Sequence, residues 1–325
     1  MLKRSLFLFA LCLAACNKSS TGGSGTLKVA LITPGSVSDA AWNAGAYQGL
    51  RQIRDSLGAS VSNVEARTPA EQEEALRSYA RQGYTVVFGH GYEFQDPAER
   101  VAQDYPTTIF VVTSGERVRG NVVPLIFRIH EATYLAGMLA GAMTRTGKIG
   151  FIGGMELPPI KLGYDGWVQG ARAERPSIDT RVTYLNTFDD AAAGKEAALA
   201  MIRLGVDQLH HNADAAALGL FSAVKESPNV YVFGANGDQR ALAPDRVVAS
   251  AVVDLPRAFL LVARDVKQGT FTPHIESFGL QSGVIRLATN PALETRWPAG
   301  LKARVQSASD AIVAGTLKVA EDRTP

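Results

Sequence analysis

Cysteine is nearly missing from this chain: Cys12 and Cys16 are the only two in 325 residues, so nothing beyond residue 16 can be stapled by a disulfide. The folded body must instead be held by apolar cores. Histidine is scarce too. The five at 90, 130, 210, 211 and 274 form no H-x-x-x-H pair, and His210 and His211, adjacent on a predicted strand, would face opposite sides, which argues against a metal site. Charge of one sign is equally lacking, because 33 Lys and Arg against 31 Asp and Glu leave a formal +2 that falls to zero if Lys3 and Arg4 leave with a leader. Without a basic track to follow a phosphate backbone, nucleic acid is excluded as a partner. There is no G-x-S-x-G elbow, no cysteine in the body for nucleophilic work, and no amino-terminal aspartate cluster of the nucleoside-hydrolase kind, so an enzyme is not expected. Two glycine patterns fail as cofactor loops. Gly89-His90-Gly91 lacks a third glycine, and Gly141 to Lys148 has five residues between its glycines and Ile149 where a magnesium-binding Ser or Thr belongs. No cofactor is expected.

A long hydrophobic run is also absent at the start. Met1-Leu2-Lys3-Arg4 leads into an apolar stretch from Ser5 to Cys12, far short of the roughly 20 residues a bilayer requires. Two cations, a short apolar run and small residues before a cysteine read as a secretory signal over 1–15. Leu13-Ala14-Ala15-Cys16 resembles the bacterial lipobox, which predicts lipidation of Cys16 and attachment to a membrane outside the cytoplasm. Asn17 to Gly25 is Ser- and Gly-rich, so 16–26 reads as a flexible tether.

Beyond the tether the chain is rich in β-branched runs alternating with helical patterns, the signature of βαβ units and a parallel sheet. Strands are predicted at 27–33, 61–66, 84–88 and 108–113, with helices at 39–57, 70–82 and 96–104. The rhythm restarts at Lys148, with strands near 181–186, 207–211 and 229–234 and helices at about 160–174, 189–204 and 214–226. Two Rossmann-like α/β lobes with parallel sheets and a cleft between them are the simplest account. A strand over 246–253 and a helix over 256–267, with Pro256 in its first turn, are predicted to lead back to the first lobe. The lobes would then span 27–128 plus about 254–282, and 129–253 plus about 283–325, the latter segment either belonging to lobe two or packing as a terminal element on it. A last helical pattern covers about 303–317.

Ligands of open α/β sheets collect beyond the carboxyl ends of the strands. The first such loop contains Asp39, Trp42 and Asn43: Ser38 or Asp39 can cap the next helix, the indole can stack on a planar ring, and the amide offers both donor and acceptor. A core Trp42 with Asp39 as a plain cap is the alternative. Gly91 and Tyr92 follow the third strand, where small residues let a ligand approach backbone. In the second lobe, Asn212 and Asp214 can read the edge of a base, or a cationic or amine-bearing solute, or can simply be solvated turn residues.

Several segments, in order, resemble the basic membrane protein family of bacterial lipoproteins, the purine-nucleoside-receptor type of substrate-binding protein for ABC importers. They are Val29 to Thr33 followed by Asp39-Ala40-Ala41-Trp42-Asn43, Glu131 with Tyr134-Leu135-Ala136-Gly137, Gly147 to Gly154, Gly194-Lys195-Glu196, and Gly234-Ala235-Asn236-Gly237-Asp238-Gln239. The resemblance implies a periplasmic-binding-protein type I fold, a monomer with a hinged cleft that closes on a purine nucleoside or base and delivers it to ABC permease subunits. It assigns Trp42 to stacking on the purine, places Asp39 and Asn43 in the same loop, and puts Asn236 and Asp238 in the acidic sugar-binding motif. Asn236 stands where the family carries an acid, and Val253 where it carries a lysine. Losing both removes charge-assisted contacts to ribose, which points to a free base or another small planar solute. A ligand-sensing lipoprotein that signals to a membrane partner, or an extracytoplasmic nucleoside-processing enzyme, are the alternatives at this stage.

Overall fold

A computed structural model describes residues 26–39 and 41–319. The leader, Cys16 and all but the last residue of the tether lie outside them. The first half runs β1 (Lys28–Thr33), α1 (Trp42–Leu57), β2 (Ser60–Glu65), α2 (Pro69–Arg81), β3 (Val86–His90), α3 (Gln95–Ala102), β4 (Ile109–Thr113) and β5 (Val122–Phe127). The second runs α4 (Ile129–Met143), β6 (Lys148–Gly153), α5 (Pro158–Glu174), β7 (Asp179–Tyr184), α6 (Ala191–Arg203), β8 (Gln208–Asn212), α7 (Ala217–Glu226), β9 (Tyr231–Asn236) and β10 (Val247–Val253). The chain then forms α8 (Leu255–Gln268), β11 (Glu276–Phe278), β12 (Ile285–Thr289), α9 (Pro291–Glu294) and α10 (Leu301–Val313).

These elements make two six-stranded sheets, ordered β11-β5-β4-β3-β1-β2 and β12-β10-β9-β8-β6-β7. All pairings are parallel except that of β12 with β10. The central strands β3 and β10 are buried along their whole length, as the continuous apolar runs of a sheet covered on both faces require. Helix α8 returns to the first sheet, where Phe259 stacks on Phe88 of β3 at 4.1 Å. Helix α10 puts Leu301, Val305 and Ile312 into the core of the second sheet. Local chemistry sets several boundaries: a capping box between Thr68 and Glu71 with Pro69 opens α2, and Asp254 caps α8 with Pro256 in its first turn.

The chain passes between the sheets three times, after β5, after β10 and after β11. Glu131, in the first turn of α4, links two of these passages: one oxygen accepts from Arg128 Nε at 2.6 Å and the other from the Leu280 N–H at 2.7 Å. The buried carboxylate therefore joins the strands of the hinge to one another.

Differences from the sequence reading are local. The β5–α4 pair escapes that reading, because Pro124 interrupts the apolar run of β5 and α4 is buried on nearly every side, leaving no amphipathic stripe to detect. Strand β3 lies two residues later than expected and takes in Gly89 and His90. Helix α1 begins at Trp42 instead of Asp39, and the predicted start of α7 at Asp214 is a short 3-10 turn over Asp214–Ala216.

Candidate functional site

The carboxyl ends of both sheets face a shared cleft of about 620 Å³ of space not filled by protein atoms, its open mouth included. Trp42, Gly91, Tyr92, Glu93, Ser114 and Phe127 line it from the first lobe. Ile160, Phe188, Asn212, Asp214, Asn236 and Val253 line it from the second. Both lobes thus contribute aromatic rings and one carboxyl, and the second adds the amides of Asn212 and Asn236.

Trp42 is placed by its neighbours. Its indole stacks on His90 with centroids 4.1 Å apart and planes 25° apart, and it meets Phe127 edge-on at 6.2 Å. His90 Nε2 lies 3.1 Å from the Trp42 carbonyl and Nδ1 3.0 Å from Thr113 Oγ1. A carbonyl only accepts, so Nε2 carries the proton and the threonine hydroxyl donates to Nδ1. Burial pushes the His90 pKa down to about 3, and the ring is neutral at ordinary pH. Trp42 itself remains half-buried, with surface left for the cleft.

Asp39 is the cap of α1. Its carboxylate accepts from the N–H groups of Ala41, Asn43 and Ala44 at 3.2, 2.8 and 2.8 Å, covering donors that the helix start leaves open. Burial raises its pKa and these bonds oppose the rise. Asn43 is buried behind it, and among the described residues its Oδ1 has no hydrogen-bond partner. Neither residue is among those lining the cleft; both stand one layer back, where they hold the segment that presents Trp42.

Gly91 has φ of 146°, and a Cβ there would press on the Glu93 carboxylate at 2.5 Å, so the glycine is what lets that side chain fold in beside Tyr92. In the second lobe Asn236 Nδ2 donates to Asn212 Oδ1 at 3.1 Å and also bonds Asp214. Asn212 and Asn236 close β8 and β9, so both amides are delivered by strand ends. Burial raises the Asp214 carboxyl well above its ordinary range, and the carboxylates of Asp39, Glu93 and Asp189 reinforce that rise. Asp238 is not brought to the cleft lining: it forms an ion pair with Arg240, 2.7 Å from Nη2. The rest of its motif is structural, since Gln239 Oε1 accepts from the Ala235 N–H and from His211 Nε2, both at 2.9 Å. Among the described residues, no group of three or more His, Cys, Asp or Glu is placed to hold a metal ion.

Sequence reasoning does not single out Glu93, Ser114, Phe127 or Phe188. Glu93 is detectable as the acid beside Gly91-Tyr92; the others need the tertiary arrangement. At the cleft mouth Arg67, after β2, donates to Asp189, after β7, at 2.7 Å and so spans the two lobes. Both side chains are about half exposed, so this pair adds at most about 1 kcal/mol to closure.

The buried histidines make a pH prediction. His90, His210 and His211 have pKa values lowered to about 3, 4 and 3 by burial. An unfolded histidine binds its proton near pH 6.5, so each costs the fold stability as pH falls below that value, about 1 kcal/mol over the first unit. The raised carboxyls act with the opposite sign, which a difference measurement removes. The stability of wild type relative to His90→Gln is expected to fall as pH goes from 7 to 5; a pH-independent difference would mean that His90 is not held neutral.

Known proteins share both this sequence pattern and this fold. The family model for Bmp, ABC transporter substrate-binding protein PnrA-like, matches residues 26–310. Basic membrane protein A2 of Borrelia garinii is 28% identical over 286 residues, covering 86% of this chain and 85% of that one. The ABC transporter nucleoside-binding protein BmpA of Lactococcus lactis is 28% identical over 335 residues, covering 94% of each. An ABC transporter solute-binding protein of Aeropyrum pernix superposes with a TM-score of 0.82 over 92% of this chain and 94% of that chain, at 23% identity, which bears on fold alone. Two parallel-dominated α/β lobes around a cleft, and a family match across nearly the whole described chain, lead to one assignment: this protein belongs to the Bmp family of PnrA-like ABC transporter substrate-binding proteins.

Proposed function

We propose that the protein is the extracytoplasmic solute-binding lipoprotein of an ABC importer, taking a purine base or nucleoside-like planar solute between its lobes and presenting it, as a monomer, to permease subunits. Lipidation at Cys16 is the proposed anchor. Among the described residues no helix is long and apolar enough to cross a membrane. The observation that carries the reading is the pairing, across one cleft, of the Trp42 indole from the first lobe with the Asn212, Asp214 and Asn236 polar edge from the second. A ring stacked on the indole would meet hydrogen-bonding groups at its rim, and only a closed cleft brings both together. The nucleoside-binding name of the Lactococcus lactis relative is in keeping with this.

Within that class the free base is favoured over the nucleoside. Asn236 is neutral, and Val253 puts methyl groups into the lining where the family resemblance expects a lysine, so a ribose would find no charge-assisted partner at either position. The test is titration calorimetry on protein unfolded and refolded to strip carried-over ligand, with adenine, guanine, hypoxanthine and their nucleosides. A base is expected to bind more tightly than its nucleoside. Tighter binding of adenosine or inosine would return the ordinary nucleoside preference, and silence across the panel would sink the purine reading.

A further inference from the structure

Three residues lining the cleft hold the left-handed backbone that non-glycine residues rarely adopt: Ser114 with φ of 58°, Asp214 with 43° and Asn236 with 63°. Such strain persists only where the surrounding structure over-determines it, and it gathers at binding sites. At Asp214 it falls in the short turn Asp214–Ala216 between β8 and α7, and it sets the carboxyl in the lining beside the strand-end amides of Asn212 and Asn236. The charges that act on Asp214 most strongly are those of three acids, Asp39 ahead of α1, Glu93 after β3 and Asp189 after β7. No Lys, Arg or His is among the lining residues. His210 and His211, in β8, are neutral, with pKa values lowered to about 4 and 3 by burial. Arg67, which reaches Asp189 from the other lobe, is shared with Glu65. Asp214 therefore has a hydrogen bond from Asn236 and no cation in the lining to pair with.

We infer that Asp214 is a specificity-determining residue of this cleft, a neutral carboxyl that donates its O–H to an unprotonated ring nitrogen of a neutral base. The inference rests on the proposed site for a free base and names the group that reads it. Asn236 spends one amide N–H on the carboxyl, which occupies the carbonyl oxygen and leaves the O–H for the ligand. Asn212 Oδ1 takes an N–H of the same amide at 3.1 Å, so the orientation of Asn236 is fixed from both sides. Burial raises the Asp214 carboxyl well above its ordinary range, in keeping with a retained proton. A ring nitrogen with a lone pair meets that O–H and the proton stays on the carboxyl, whereas a carboxylate would oppose the lone pair with acceptors only. Purine bases carry such nitrogens in the plane of the ring, and stacking on Trp42 turns the rim of that plane toward the second lobe. Closure thus needs no charge from the ligand. A ring with C–H in place of the nitrogen leaves a desolvated donor unpaired and loses affinity.

The test is calorimetric titration of the full chain with adenine and with its 1-deaza, 3-deaza and 7-deaza analogues, in which one ring nitrogen becomes C–H. At least one analogue is expected to bind wild type about ten-fold more weakly than adenine, the scale of one lost hydrogen bond to a buried donor. Asp214→Gly removes the side chain and suits the left-handed backbone, so it is expected to weaken adenine by a similar factor and to abolish the penalty for that one nitrogen. Asp214→Asn, whose amide still donates, is expected to restore most of the affinity. Adenine affinity of wild type is further expected to hold at low pH and to fall as pH rises past the Asp214 pKa, with that fall reduced in Asp214→Asn; Glu93→Gln, run in parallel, separates the other raised carboxyl of the lining. Affinity that climbs with pH, or an Asp214→Asn variant as weak as Asp214→Gly, would show an ionised acceptor and overturn the inference. Unchanged nitrogen penalties in Asp214→Gly would overturn it in favour of another donor, and this comparison also decides if the pH profile is flat. Tighter binding of adenosine with the same variant pattern would remove the free-base preference and leave the role of Asp214 standing. Silence toward every purine would remove both. If Asp214→Gly does not fold, as its melting curve will show, the loss or retention of affinity in Asp214→Asn decides.

Discussion

Replacing Trp42 with alanine is expected to lower ligand affinity by about 5- to 150-fold, the equivalent of the 1–3 kcal/mol that stacking of one base on an aromatic side chain contributes. The structure supports the upper part of that range. Trp42 opens α1, its carbonyl is bonded by His90, one face of the indole rests on the imidazole, and Phe127 closes its edge. A ring held at one face and one edge, on a backbone that is itself bonded, loses little entropy when a ligand stacks on it. Trp42→Phe should retain part of the affinity, because a smaller face remains in the same place. Titration of both variants with the tightest ligand of the panel decides the matter. Unchanged affinity in Trp42→Ala, with the fold intact by melting, would return the residue to a purely structural role.

A large stability effect is expected at Gly170. Helices α4 and α5 cross with glycines at the contact: a Cβ on Gly170 would run into the Tyr134 carbonyl, one on Gly137 into the Trp167 carbonyl, and one on Gly166 into the His130 carbonyl. Backbone cannot rotate aside as a side chain can, so Gly170→Ala must push the helices apart and open the core that Trp167, Leu135 and Leu139 share. Overpacking of this kind costs about 1–3 kcal/mol or more, and for a chain of this size each kcal/mol lowers the melting temperature by roughly 2–4 °C. Helix propensity pulls the other way, since alanine exceeds glycine by up to about 1 kcal/mol inside a helix. Gly163, on the same helix, separates the two effects: among the described residues outside its own helix, the only atom within 4 Å of its Cβ position is Ile129 Cγ2, at 3.9 Å. Thermal melts are expected to show Gly170→Ala strongly destabilised and Gly163→Ala neutral or slightly stabilised. Equal behaviour of the two would mean that the helices are not in close contact.

Much of the architecture is legible because α/β folds write their sheets as short buried runs at regular spacing. Each predicted strand of the first lobe falls within two residues of its place, and the restart at Lys148 is where β6 begins. Helix ends are less legible. Asp39 reads as the first residue of a helix, but α1 begins at Trp42 and the Asp39 carboxylate is taken up by the N–H groups of Ala41, Asn43 and Ala44, as a cap ahead of the helix. The β5–α4 segment escapes for the opposite reason: a helix buried on nearly all sides has no polar face, and periodicity detects only contrast.

The site is legible in part. Trp42, Gly91, Tyr92, Asn212, Asp214 and Asn236 stand out in sequence because each follows or ends a strand, and the carboxyl ends of parallel strands face one side. Asp238 belongs to the same kind of loop, yet Arg240 two residues on draws it into a local ion pair, a competition that spacing alone does not reveal. Glu93 is marked in the sequence only as the acid beside Gly91-Tyr92, and the fold shows that it enters the cleft from the lobe opposite Asp214.

Sequence by itself thus determined the two-lobed α/β class and the loops that carry the candidate site, since periodicity and strand-end chemistry are local and each residue reports its own neighbourhood. The tertiary structure alone decided which carboxyls enter the cleft, the hinge link through Glu131 and the glycine crossing of α4 and α5. These depend on residues far apart in the chain, up to 149 positions in the bond from Leu280 to Glu131, and such contacts have free energies that exist only once both partners have been folded into place.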